Sequence, residues 1–233
     1  MVLKYVTRAM VRRVLPQRRP DSHKGENGRV LVVGGSSRYV GAPALAALSA
    51  LRSGVDLVTV ASPRETAKLI NTFSPDLITV KLPCEDLTPE ALPHLFPELE
   101  RCDTLILGPG LGGLEETGKA VLSLLEEVRR EHPDLPVLLD ADALKAVRGK
   151  EWRGMEVVLT PHAGEFKVVT EREVPKDLEG RARTVGEEAR RLGCVILLKG
   201  RIDVISSPEG KVFLNRTGNP GMTVGGTGDV LSG

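Results

Sequence analysis

The chain has 233 residues, with 32 basic and 31 acidic side chains and a formal net charge of +1, enough for one large α/β domain or two small ones. Near-neutral charge and 3% aromatic content leave neither a polyanion surface nor a base-stacking platform, so nucleic acid is set aside as a partner. No stretch is apolar for long enough to span a bilayer, the amino terminus lacks a signal-type apolar core, and Cys84, Cys102 and Cys194 lack metal spacing, so a cytoplasmic chain with reduced thiols and no membrane partner is expected.

In chain order, residues 7–15 read as a short helix, and a basic loop, PQRRPDSHKGENG, follows. His23 and Lys24 in that loop could touch a phosphate, though an exposed linker explains them as well. Residues 29–33 (RVLVV) form a continuous apolar run, the pattern of a strand buried on both faces. The loop GGSSRYVG leads into a helix over 42–51, with Pro43 near its first position and Gly54 stopping it. Strands are expected over 55–61 and 77–82 with a helix over 63–71 between them, whereas 83–100 is proline-rich and has no clear period. A strand over 104–107 precedes GPGLGG and a long amphipathic helix to about residue 131. Strands over 137–140, 157–160 and 195–199 end in DAD, PHAGE and KGRID; helices follow the first two, and a third helix covers 177–192. Residues 203–206 and 211–214 flank Pro208-Glu209-Gly210 as a hairpin.

Repeated strand–loop–helix units imply a mostly parallel central sheet covered by helices on both faces, with right-handed crossovers. Such sheets collect ligands at the carboxyl ends of their strands. GGSSRYVGA, GPGLGG, DAD, PHAGE and KGRID all leave such an end, so they are expected to converge.

The last fifteen residues, NPGMTVGGTGDVLSG, carry the sharpest chemistry. Gly225, Gly226 and Gly228 can adopt backbone conformations closed to other residues, turning consecutive N–H groups to one side. Asp229 follows in what reads as a first helical turn, where backbone amides favour an anion. Those amides can stabilise a phosphoryl group while the carboxylate takes a proton from an attacking hydroxyl. A glycine-rich turn with Asp229 as a helix cap is the plainer alternative, and GTGD alone does not choose between them.

Two other matches are weaker. Gly108, Gly110 and Gly113 satisfy G-x-G-x-x-G after a strand and before a helix, which keeps a non-catalytic dinucleotide-binding module as an alternative. Against it, Pro109 stiffens the turn and Asp140 comes later than the usual acidic partner. Residues 113–120 (GLEETGKA) approach a P-loop, but Ala120 replaces the magnesium-binding hydroxyl, and Glu115 and Glu116 would repel phosphate.

Six segments in order, DSHKGENGRVLVVGGSSRYVGAPALAA, LILGPGLG, PVLLDADAL, LTPHAGEF, LLKGRIDVI and NPGMTVGGTGDVLSG, resemble the ADP- or ATP-dependent NAD(P)H-hydrate dehydratases of the ribokinase-like superfamily. The resemblance implies a ribokinase-like three-layer sandwich. It also implies a lyase that phosphorylates the ring hydroxyl of hydrated NADH or NADPH and then expels phosphate, with ADP favoured over ATP as donor and Mg2+ as cofactor. Asp229 matches the catalytic base and the amides of Gly226, Thr227 and Gly228 the anion hole. Ala42, Gly110, His162 and Asp229 match contacts to the hydrated cofactor, and Tyr39 could stack beside them. Lys199, Gly200, Arg201, Ile202, Asp203 and Gly228 match the adenine-nucleotide segment. Glu165 sits where related kinases place an acid near the metal; Asp140 and Asp142 are further metal candidates, equally explained as helix caps. A small-molecule kinase for a vitamin precursor is the alternative within the same fold. Relatives imply a homo-oligomer and an epimerase acting on the same damaged cofactor, as a neighbouring domain or separate protein. They also continue past GTGD with helices over the adenine side, so the expectation is one domain, 1–233, lacking those helices.

Overall fold

The computed structural model describes residues 3–233 and opens with a two-residue strand, β1 (Lys4–Tyr5), that the sequence pattern does not reveal. Helix α1 (Arg8–Val14) follows, its amino end capped by Thr7, whose hydroxyl accepts from the Met10 amide at 3.3 Å. From there strands and helices alternate: β2 (Arg29–Val33), α2 (Gly41–Ser53), β3 (Leu57–Pro63), α3 (Arg64–Ile70) and β4 (Ile78–Leu82). The proline-rich stretch becomes a 3₁₀ turn, Pro89–His94, and a single helical turn, α4 (Phe96–Leu99), each with a proline in its first two positions, where no N–H is missed. Then come β5 (Thr104–Leu107), α5 (Glu115–Glu131), β6 (Val137–Leu139), α6 (Asp142–Ala146), β7 (Val157–Leu159) and α7 (Ala163–Thr170). The chain ends with α8 (Leu178–Leu192), β8 (Val195–Leu198), β9 (Asp203–Ser206), β10 (Val212–Asn215) and α9 (Thr227–Ser232).

These strands form one sheet in the order β1-β10-β9-β8-β7-β6-β5-β2-β3-β4. Only β9 runs antiparallel to its neighbours, so the mostly parallel sheet is as expected, hairpin included. Side chains alternate across β2: Leu31 and Val33 join one core cluster with Leu124 of α5, Leu144 of α6, Phe166 of α7 and Val185 of α8. Val30 and Val32 join a second cluster with Ala44, Ala47 and Ala50 of α2. Helices therefore cover both faces, giving the three layers.

Strand β3 starts two residues later than expected because Asp56 is used in a turn. Its carboxylate accepts from the Gly25 amide at 2.8 Å and from the Asn27 amide and side chain at 3.0 Å each. The Asn27 side chain, helped by those amides, holds the Asp56 carboxyl down at about 2. The chain leaves β2 toward β3 on one side, while β5 pairs on its other side. Loops consequently part at β2 and β5, where doubly wound sheets form their binding crevice.

Candidate active site

The loops after β2 and β5 are locked together at that crevice. The Gly35 amide donates to the Pro109 carbonyl at 2.8 Å. Gly110 adopts a left-handed φ of +69°, and a Cβ there would lie 2.9 Å from Tyr39 Cβ and 3.1 Å from Ala42 Cβ. Ala42 and Gly110, expected to share a ligand, are thus neighbours across the crevice. Tyr39 stands beside them, its ring 5.4 Å from the Arg38 guanidinium.

The β6 loop is backbone-strained. Ala141, a non-glycine residue, sits at φ +49°, and this kink sends Asp140 and Asp142 to different partners. Asp142 accepts from the Gly112 amide at 2.8 Å and from Lys145 Nζ at 2.6 Å. Asp140 is buried, with Oδ1 2.8 Å from Lys199 Nζ and Oδ2 accepting from the Ser232 hydroxyl at 2.7 Å.

His162 caps α7: its Nδ1 accepts from the amides of Gly164 at 3.0 Å and Glu165 at 3.3 Å, while Glu165 Oε2 accepts from the His162 amide at 2.9 Å. The cap makes Nδ1 an acceptor, and the Nε2 of the exposed ring lies 3.5 Å from Glu165 Oε1. In the following loop the Lys199 amide donates to Pro161 O at 2.8 Å, joining the β7 and β8 ends. Asp203 closes its own turn, accepting from the Gly200 amide at 2.9 Å and from Asn215 Nδ2 at 3.1 Å. Arg201 is exposed and Ile202 half-buried.

At α9, Gly226 alone of the three expected glycines takes a left-handed φ, +93°, as the N-cap. The Thr227 hydroxyl reaches the carbonyls of Met222 at 2.8 Å and Val224 at 3.1 Å, bracing the preceding loop. Asp229 is half-buried in the first turn. Burial pushes its carboxyl up, as does the Asp140 charge, while Lys199 pulls the other way. A Cβ on Gly228 would lie 3.6 Å from Lys199 Nζ. Asp229, Gly228, Lys199, Asp140 and Glu165 therefore form one cluster, with Glu165 Oε2 3.8 Å from Lys199 Nζ. Ser232 was missed from sequence. It lies 92 residues from Asp140, and no local pattern links them.

The alternative motifs find other uses. Gly108, Gly110 and Gly112 take positive φ, but nothing lies within 4 Å of a Cβ at Gly113, so the third glycine makes no close helix–strand approach. Lys119 of the P-loop-like segment is bound to Glu116 at 2.7 Å and Glu115 at 3.1 Å. His23 is exposed beside the Asp56 turn at the amino ends of the strands, opposite the cluster.

No group of three His, Cys, Asp or Glu side chains among the described residues is arranged to hold a metal ion. Both Asp140 oxygens are taken, and Glu165 is engaged by the cap. The donor set suits a magnesium ion carried mainly by nucleotide oxygens, with Glu165 as the nearby carboxylate, and does not suit an all-protein cage.

With this geometry in view, the NAD(P)H-hydrate dehydratase family model matches residues 30–233. A bifunctional NAD(P)H-hydrate repair enzyme of Pyrobaculum aerophilum is 50% identical over 216 residues, covering 93% of this chain and 42% of that protein. The chain thus spans about two fifths of the length of such bifunctional relatives. An ADP-dependent (S)-NAD(P)H-hydrate dehydratase of Cenarchaeum symbiosum is 44% identical over 224 residues, 96% of this chain and 76% of that one. The ADP/ATP-dependent NAD(P)H-hydrate dehydratase of Bacillus subtilis, co-crystallized with ATP/Mg2+, superposes with a TM-score of 0.80 at 33% identity, covering 100% of this chain and 79% of that one. The six ordered motifs, the three-layer sheet and these likenesses converge, and the chain belongs to the NAD(P)H-hydrate dehydratase family.

Proposed function

We propose that the chain dehydrates hydrated NADH and NADPH at the expense of a nucleotide, with ADP as the preferred phosphoryl donor. The observation that carries this reading is Asp229. It is half-buried, its proton affinity is raised, and it stands in the first turn of α9 beside Lys199. A carboxylate of raised proton affinity is a better base toward a hydroxyl. Asp229 takes the proton from the ring hydroxyl as that oxygen attacks the terminal phosphoryl group. The bond from phosphorus to the nucleotide breaks, and the amides of Gly226, Thr227 and Gly228 stabilise the transferring group. In the second step the carbon–oxygen bond breaks, phosphate departs, and a proton leaves the neighbouring ring carbon, restoring the double bond. Hydroxide is a poor leaving group and phosphate a good one, which is why kinase machinery serves a lyase.

Ala42, Gly110 and His162 are the proposed contacts to the hydrated cofactor. Lys199, Gly200, Arg201, Ile202, Asp203 and Gly228 are those to the nucleotide. Magnesium would neutralise nucleotide phosphate charge when bound, with Glu165 the residue proposed to face it. ADP is favoured because the Cenarchaeum symbiosum relative is an ADP-dependent enzyme. An epimerase for the same damaged cofactor, and further copies of the chain, are the proposed partners. A cytoplasmic site of action is compatible with the lack, among the described residues, of any helix long and apolar enough to cross a membrane.

The test is to incubate hydrated NADH with ADP or ATP and follow recovery of the NADH absorbance band. Recovery with ADP supports the reading. Phosphorylation of a hydroxymethylpyrimidine or thiazole alcohol, with the hydrate untouched, rejects it.

A further inference from the structure

Asp140 has a place in the fold that neither base nor ligand contact accounts for. It directly follows β6, is buried, and divides its two oxygens between Lys199, just past β8, and Ser232 at the end of α9. Strand β7 lies between β6 and β8, so the gap to be crossed is two strand spacings, roughly 9.6 Å. A lysine side chain together with an aspartate spans that distance, and shorter cations do not. A buried carboxylate is costly without partners, so the two contacts hold each other in place. Ser232 is three residues beyond Asp229 and thus on the same face of α9. Its hydroxyl donates to Asp140, with Gly228 O a longer second acceptor at 3.1 Å. One carboxylate thereby ties the helix bearing the base to the strand bearing the cation.

We infer that Asp140 is a positioning residue that pins the Lys199 ammonium against the first turn of α9, as a fixed cation for the nucleotide's terminal phosphoryl group. This rests on the reading above and deepens it, because Lys199 then acts through its side chain as well as its backbone. Its side chain is one-fifth exposed and its ammonium lies next to Gly228, so with three N–H groups it can turn one toward an incoming phosphate without leaving Asp140.

The experiment measures ADP affinity by calorimetry, without hydrate, and turnover with it. Lys199→Met should weaken ADP binding at least ~10-fold, the loss of one charge-assisted contact, and Lys199→Arg should restore it to within ~3-fold. Asp140→Asn should weaken ADP binding about 5-fold or more alone, but less than ~2-fold further in the Lys199→Met background, the non-additivity of residues acting as a unit. Ser232→Ala should leave ADP affinity within ~2-fold and lower turnover about 10-fold, since it frees only the base-bearing helix. Equal weakening by Asp140→Asn with and without Lys199, or unchanged ADP affinity in Lys199→Met, overturns the inference. Should Asp140→Asn fail to fold, the Lys199 variants and Ser232→Ala decide. A chain that binds ADP with this pattern yet ignores the hydrate loses the proposed reaction while keeping the anchor.

Discussion

Replacing Asp229 with asparagine removes the proposed base while leaving shape and hydrogen-bonding reach almost unchanged. A positioned general base contributes roughly 10²–10⁴ in rate, about 2.7–5.4 kcal/mol of transition-state stabilisation. The backbone of Gly226, Thr227 and Gly228 is untouched, as is the Ser232 contact to Asp140. The loss should therefore fall on kcat, with ADP affinity unchanged or improved, because a negative charge beside the phosphates has gone. Stability should move the opposite way. The Asp229 carboxyl is raised above its ordinary 3.8, chiefly by burial and then by Asp140, so the folded state binds its proton more tightly than the unfolded state. Its contribution is full below 3.8 and is lost as pH rises through the folded-state value, leaving an unfavourably placed charge at neutral pH. Asp229→Asn should melt at a higher temperature than the parent at pH 7, with the difference vanishing in acid. Recovery of NADH absorbance and a thermal melt measure both arms. More than about a tenth of parental turnover, given the rate range expected of a base, would refute the assignment, and lost ADP binding would make Asp229 a binding residue instead.

Further perturbations test the frame around the site. Gly108→Ala places a Cβ 1.8 Å from the Asp140 carbonyl at a φ of +131°, so strain of about 1–3 kcal/mol plus the clash should lower the urea midpoint by an amount equivalent to at least ~3 kcal/mol. Asp56, held at about 2 against an ordinary 3.8, contributes stability above 3.8 that is lost as pH falls toward about 2; acid titration of Asp56→Asn should lack that component. Burial pushes the Cys194 thiol up to about 12 and Cys102 up to about 11, and raises Cys84 in the same direction. All three should resist alkylation at pH 8 in the native protein and react once it is unfolded, as read by mass spectrometry.

Elements whose signal is contained in a few consecutive residues were readable from sequence. RVLVV is apolar at every position after its arginine because β2 is covered on both faces, and the hairpin around Pro208-Glu209-Gly210 carries its own turn chemistry. What escaped depends on partners remote in sequence. Strand β1 is two exposed residues, defined only by the parallel pairing of Lys4 and Tyr5 with Phe213 and Leu214. The start of β3 moved because Asp56 is claimed by amides some thirty residues earlier, a demand that no window around Val55 contains.

The site divides in the same way. Gly226 and Gly110 betray positive φ by being glycines within tight loops, whereas Ala141 hides an equally unusual backbone behind an ordinary side chain. His162 was legible as a functional candidate, but its use as the cap of α7 emerges only when Glu165 folds back onto its amide. Asp140 is the furthest case. Read locally, an aspartate after a strand and before a helix is a cap or a metal ligand. Its partners are decided by the strand order, which sets β7 between β6 and β8 and so gives a lysine the right length to reach it. Local chemistry predicts which residue types gather at the carboxyl ends of a parallel sheet, and strand order decides which of them touch. An aspartate of this kind therefore acquires its task from topology, and a kinase-like site can be recognised by its loops well before the carboxylate that steadies it can be named.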